Sequence, residues 1–278
     1  MPRALGAVLL LTVSCSFLVE RDRVQCAHDR DCQAAGGDFL GSRCVDSVCQ
    51  PDRAWGCLGS VKPVQLPVGH RSTATLLLRM RDLVHLTPIT NVTARLCRKM
   101  DINCESPLVN DVRGDEAGHV VLPVDLGFDG YVDLRAPDRM PGLNFMLPPI
   151  DGDREIPFIP LLPARTLVDF AEANHESLRE DRGHLMFIAY DCLHRTTPGV
   201  TAETPQADGP TIRFFVKDGL PTSQASETDP SGRGGFINLR AGTVVMRAHS
   251  PLGQRIATLT LTVRPGTITF IGLVPMPD

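Results

Sequence analysis

Two hydrophobic periods divide this chain. Apolar residues recur at every second position in short runs, with Ala74, Leu76, Leu78 and Met80 inside Ser72 to Met80 and Val92, Ala94 and Leu96 inside Asn91 to Leu96. A period of two turns one face of an extended segment toward a core, so these runs predict strands of sheets with one buried side. Further runs follow at His119 to Val124, Tyr131 to Ala136, Leu185 to Tyr190, Thr211 to Val216, Gly235 to Leu239, Thr243 to Ala248, Arg255 to Val263 and Thr267 to Leu273. Gly, Pro and Asp clusters separate them, and strands this short and this regularly interrupted predict β-sandwiches. A helical period occurs in TLVDFAEANHESLREDRG: Thr166 and Asp169 suit a start, Leu167, Phe170, Ala171 and Leu178 approximate one apolar face, and Gly183 suits the stop. This predicts one helix of about four turns lodged between two sandwiches.

An internal repeat supports the doubling. GDEAGHVVLPVDLGFDGYVDLRA (Gly114 to Ala136) echoes TDPSGRGGFINLRAGTVVMRA (Thr228 to Ala248), each with Asp-x-x-Gly, a strand, a Gly-containing turn and a second strand ending Arg-Ala. In such a hairpin the Asp side chain holds the bend and the Gly takes the positive φ. CLGSVKP from Cys57 and CLHRTTP from Cys192 suggest a further matching piece. The expected organisation is a leader (1–14), a cysteine-rich module and tether (15–54), a first sandwich (55–138), a Pro-rich connection with the helix (139–183) and a second sandwich (184–278).

The leader and the cysteines bear on compartment. Arg3 precedes the apolar run Ala4 to Val13, then Ser14 and Cys15. About ten apolar residues fall short of the roughly 20 that span a bilayer, so the stretch reads as an export signal to be removed. It resembles the lipobox of bacterial lipoproteins, with Thr12 where that family prefers Leu and Leu11 one place further back. The resemblance implies lipid attachment at Cys15 and, because Ser16 rather than Asp follows, the outer membrane.

Nine cysteines are present, and eight remain if Cys15 takes lipid. An even number behind an export signal reads as disulfides. Cys26, Cys32, Cys44 and Cys49 allow three connectivities, of which Cys26 with Cys44 and Cys32 with Cys49 is favoured. So short a module needs cross-links worth about 2–4 kcal/mol each to fold. Zinc is disfavoured there because C-x2-C knuckles are absent. Cys97 and Cys104 suit a cross-linked turn. Cys57 with Cys192 would join the sandwiches, provided their Cα atoms lie within about 7 Å.

Composition narrows the function classes. The 278 residues include 24 Gly and 23 Pro but only 5% aromatics, as expected of a turn-rich β protein. The formal charge is −4 and no Lys/Arg cluster tracks along a predicted face, which excludes nucleic acid as a partner. From Trp55 onward the chain resembles myxobacterial-type lipoproteins with carboxypeptidase regulatory-like, or transthyretin-like, domains. The residues behind this are the two Asp-x-x-Gly hairpins, LPVDLGFDGYVDL, FFVKDGLPTSQASETDPSGRGGFINLRAGTVVMRA and TLTVRPGTITFIGLVP. The resemblance implies two tandem transthyretin-like (Ig-like) β-sandwiches of seven or eight strands and no intrinsic catalysis.

No reaction announces itself. A zincin needs His-Glu-x-x-His, and Arg179 stands where the second His belongs after His175-Glu176. An intradiol iron site needs two Tyr and two His; only Tyr131 and Tyr190 exist, with no His-x-His strand pair. Asp151, Asp153 and Glu155 crowd one loop but do not continue to a calcium ligand set. Asn91-Val92-Thr93 fits a glycosylation acceptor, yet its place in a predicted strand favours a structural role. The expectation is therefore no catalytic residue, no metal and no cofactor. The chain reads as a non-catalytic envelope lipoprotein presenting its sandwiches to a protein or envelope polymer, or serving a structural role. The alternative is an accessory hydrolase or dioxygenase on the same scaffold.

Overall fold

The computed structural model describes residues 24–35, 39, 41–66, 72–82 and 85–277. The leader and Cys15 lie outside the described residues. The N-terminal module holds α1 (Asp29–Ala35) and a hairpin of β1 (Ser42–Val45) and β2 (Val48–Pro51). Asp46 and Ser47 both take positive φ, giving the mirror-image turn that suits the twist of a two-residue hairpin. Cys44 and Cys49 stand opposite each other in that ladder and bond outward, Cys44 to Cys26 and Cys49 to Cys32.

The rest is a tandem of two sandwiches. The strands are β3 (Thr73–Asp82), β4 (Thr93–Arg98), β5 (Val109–Arg113), β6 (His119–Asp125), β7 (Gly130–Arg135), β8 (Gly142–Phe145) and β9 (Arg154–Leu161). After α2 (Ala164–Ala173) come β10 (Arg182–Ala189), β11 (Thr201–Glu203), β12 (Ile212–Lys217), β13 (Leu220–Thr222), β14 (Arg233–Arg240), β15 (Gly242–His249), β16 (Arg255–Val263) and β17 (Ile268–Leu273). In the first sandwich β6-β3-β9 faces β8-β7-β4-β5; in the second β13-β12-β14-β10-β17 faces β11-β15-β16.

The central strands correspond, although among the described residues the first sandwich has seven strands and the second eight, with β5 extending β4 in one and β12 and β13 extending β14 in the other. β3 pairs antiparallel with β6 and parallel with β9, just as β10 pairs antiparallel with β14 and parallel with β17. The hydrogen bonds repeat as well. The Met80 amide donates to the Gly118 carbonyl and Ile89 to that of Met80; in the second copy Ala189 donates to Gly232 and Thr197 to Ala189. Asp115 Oδ1 accepts the amides of Ala117 and His119, and Asp229 Oδ1 accepts that of Ser231, with Gly118 and Gly232 at φ +74 and +68.

One joint fuses the pair. β8 and β17 run parallel in register, Ile268 opposite Gly142 and Phe270 opposite Asn144, so one sheet of each sandwich merges into a nine-stranded central layer. The two three-stranded sheets lie on its opposite faces. One core gathers Leu76, Leu78, Leu122, Leu134, Phe214 and Phe270, and the other Tyr131, Phe145, Leu185, Phe215, Leu259 and Ile271. Each such fully buried side chain stabilises the fold by about 1.5–3 kcal/mol relative to exposure.

Three expectations are corrected. The stretch 139–183 is more than connection and helix, because it carries β8 and β9, which complete the first sandwich. The helix stops at Ala173 rather than near Gly183: Asn174 caps it and His175 takes φ +61, while the Glu176 amide still reaches the Ala171 carbonyl. Leu178 therefore packs on the core from an extended segment. Cys57 and Cys192 do not hold matching places, since one precedes β3 and the other follows β10.

Candidate functional site

A cleft of about 620 Å³ opens on the face of the central sheet shared with the first core, over the second sandwich. Its floor comes from alternate residues of three strands: Met186 and Ile188 of β10, Phe214 and Val216 of β12, and Phe270 and Gly272 of β17. One wall is β9, with Ile156 and Phe158, and the other is α2, whose Phe170 meets the Phe214 ring edge-on at 5.4 Å between centroids. Volume and apolar lining match those of sites for small ligands.

Asn144, Thr166, His194, Arg154, Glu155, Tyr190 and Arg233 are the polar side chains that border the cleft, and Arg154 and Glu155 are committed elsewhere. Arg154 donates to the carbonyls of Pro148 (2.7 Å) and Pro149 (3.0 Å) and pairs with Asp151, and Glu155 pairs with Arg79 at 2.7 Å. Arg233 instead lies over the Phe158 ring, 5.7 Å from its centroid, with no carboxylate at ion-pair distance among the described residues. Tyr190 stands two residues beyond Ile188, which is directly opposite Arg233 in the ladder, so both side chains share the cleft face. Burial pushes the Tyr190 hydroxyl above its ordinary value, with the Arg233 charge acting in the opposite direction.

Two buried polar nodes flank the cleft without reaching it as chemistry. His184 is fully buried on β10; its Nδ1 accepts the Asn238 amide at 3.2 Å, and burial drives the imidazole down to about 4, so it is neutral. Asn238 in turn holds the segment after α2 through the Ser177 carbonyl and the Arg179 amide. With no nucleophile or carboxylate hydrogen-bonded to it among the described residues, this histidine is a packing element. On the opposite face, Asp133 of β7 meets Arg95 at 2.6 Å and Arg264 at 3.0 Å, tying the first sandwich to the second. Burial raises the Asp133 carboxyl, but Arg264 and Arg95 outweigh that and hold it below the usual carboxylate range.

The remaining residues singled out from sequence disperse. Tyr131 belongs to the core on the face away from the cleft and donates its hydroxyl to the Asp101 carbonyl, so Tyr131 and Tyr190 have the central sheet between them and cannot share an ion. Asp151, Asp153 and Glu155 turn to Arg154, the Thr75 amide and Arg79 respectively, which disperses the loop's charge. His175 forms the turn that ends α2, and Thr93 pairs within β4.

The cysteines do converge. Cα separations are 5.7 Å for Cys26–Cys44, 5.5 Å for Cys32–Cys49, 5.8 Å for Cys57–Cys192 and 5.3 Å for Cys97–Cys104, and all four pairs are bonded. The sulfur clusters Cys26, Cys32, Cys49 and Cys97, Cys104, Asp133 are consequently disulfides rather than thiolate sets for a metal.

Fold and site thus define a disulfide-bonded, tandem β-sandwich protein with an apolar cleft. No family model and no curated protein matches the chain. Among solved structures it is similar to the Bacillus anthracis TIE protein (9% identity, 74% of this chain, 35% of that one, TM-score 0.24). It is also similar to a streptococcal ancillary pilin (12%, 74%, 63%, 0.24) and a minor pilin of Streptococcus agalactiae (18%, 74%, 98%, 0.24). The chain thus spans about a third of the first and under two thirds of the second. TM-scores this low carry no inference about role.

Proposed function

We propose that this chain is an exported, lipid-anchored envelope protein without catalytic activity, in which the disulfide module serves as a stalk and the sandwiches present a binding surface centred on the cleft. The observation that carries this reading is the cysteine arithmetic: eight of nine are bonded in pairs, and the ninth, Cys15, ends a leader-like stretch. Complete pairing suits an oxidising compartment. Acyl chains on Cys15 would each contribute about 0.8 kcal/mol per buried methylene, enough for a stable anchor when two or more are present. The partner proposed is a protein or envelope polymer, and the location is the outer membrane.

Labelled palmitate should enter the wild-type protein in its native host and vanish in Cys15→Ser, with the wild type in the outer-membrane fraction. Equal labelling of both, or a cytosolic product with free thiols, would overturn the reading.

A further inference from the structure

The cleft combines an unusual pair: a floor of aromatic and aliphatic side chains, and at its border a guanidinium with no acidic partner among the described residues. Half-buried at this margin, the guanidinium is placed to take an anion whose remainder lies in the cavity. The Phe158 face offers it a cation–π contact. A carboxylate would provide more, because it accepts two parallel bonds from the guanidinium fork. The Tyr190 hydroxyl, which makes no hydrogen bond among the described residues, adds a donor on the same face.

We propose that the cleft binds a single-chain hydrophobic carboxylate of the fatty-acid class, its head on Arg233 and Tyr190 and its tail over Phe214, Phe270 and Gly272. The glycine leaves room for that tail: a Cβ there would meet only Tyr190 Cε2, at 3.6 Å, so a larger side chain projects into open cleft. An extended peptide suits the site less well. Among the described residues β9 pairs only with β3 and turns its other edge to the cleft, but Pro157 and Pro160 have no N–H to offer a new strand. A hydrophobic tail needs no such ladder. Arg154 and Glu155 do not compete for the head, since their partners are already in place.

The inference rests on the cleft being the working surface and not on the anchor, so titration and palmitate labelling fail independently. Calorimetric titration of the purified protein with dodecanoate, below its micellar concentration, should show one saturable site. Arg233→Gln should weaken dodecanoate at least tenfold while moving dodecanol less than twofold, and Gly272→Leu should abolish both. Unfolding midpoints of the variants separate lost binding from lost fold, and Ile188→Phe narrows the same floor if Gly272→Leu does not fold. Absence of saturable binding, an unaffected Gly272→Leu, or equal loss of acid and alcohol in Arg233→Gln would overturn the proposal. So would saturable capture of a strand-forming peptide with none of dodecanoate.

Discussion

β3 and β10 hold the same position in the two sandwiches, yet their outward faces differ. The inward residues correspond, Leu76, Leu78 and Met80 in one and Leu185, Phe187 and Ala189 in the other, all buried. Outward, β3 shows Thr75, Leu77, Arg79 and Arg81 to solvent or its margin, whereas β10 shows His184, Met186, Ile188 and Tyr190. The polar set suits an outer layer. The apolar set suits a strand covered on both faces, as β10 is once β8 and β17 merge the sheets. Cover is incomplete, because α2 and β9 shield only part of it, and the uncovered remainder is the cleft. One framework, used twice, thereby yields a closed copy and an open one.

The largest expected effect comes from separating the copies. Cys57–Cys192 closes a loop with a sequence separation of 135, against 7 for Cys97–Cys104. On the loop-entropy model the first contributes about 5 kcal/mol and the second about half of that. The double variant Cys57→Ser/Cys192→Ser should lower the unfolding free energy in guanidinium far more than Cys97→Ser/Cys104→Ser. Equal losses would mean that the β8–β17 ladder and the Asp133–Arg264 pair hold the sandwiches together without the staple.

A second effect, about 3 kcal/mol, is confined to the second copy. His184 titrates near 4 in the fold against 6.5 when free. Its burial as a neutral ring is fully tolerated above pH 6.5, and stability falls as pH drops from 6.5 toward 4, because the unfolded chain takes up the proton first. Urea unfolding across that window should show the slope in wild type and lose it in His184→Asn. Thr75, the counterpart on β3, contributes nothing there. The lowered carboxylates Asp133 and Asp191 act at lower pH, below their ordinary 3.8.

How legible this was depends on which faces a strand buries. The strands and the hairpin repeat follow from period two and Asp-x-x-Gly, because a one-sided strand writes its environment into every second residue. The merging of sheets does not follow from alternation. Its signal was a different one, the unbroken apolar character of LMFIA (Leu185 to Ala189) and the mostly apolar ITFIGL (Ile268 to Leu273), broken only by Thr269, which marks burial on both faces. The overlong helix has a comparable cause: Leu178 continues the apolar face, but His175 in a left-handed conformation ends the helix before it. The cleft was the least legible, since Arg233, Tyr190 and Gly272 come from three strands brought together only by pairing. Buried aspartates closing the first strand of each copy, Asp82 and Asp191, also escaped notice because flanking loops differ in sequence.

The smallest effect sharpens the equivalence of the copies most directly. A Cβ on Gly118 would stand 2.9 Å from the Met80 carbonyl oxygen and 3.0 Å from that of Ile89; on Gly232 it would stand 2.5 Å from the Ala189 oxygen and 3.2 Å from the Thr197 nitrogen. The neighbours are counterparts, and in both cases they are backbone, which cannot rotate away. Positive φ adds about 1–2 kcal/mol for any L side chain. Gly118→Ala should therefore cost about 2 kcal/mol and Gly232→Ala rather more, because its closest contact is tighter by 0.4 Å. Denaturant midpoints with unchanged slopes would read this as stability alone. If Gly118→Ala were neutral while Gly232→Ala was costly, the two hairpins would share a sequence pattern without sharing a physical constraint, and the tandem would be a likeness of outline rather than of structure.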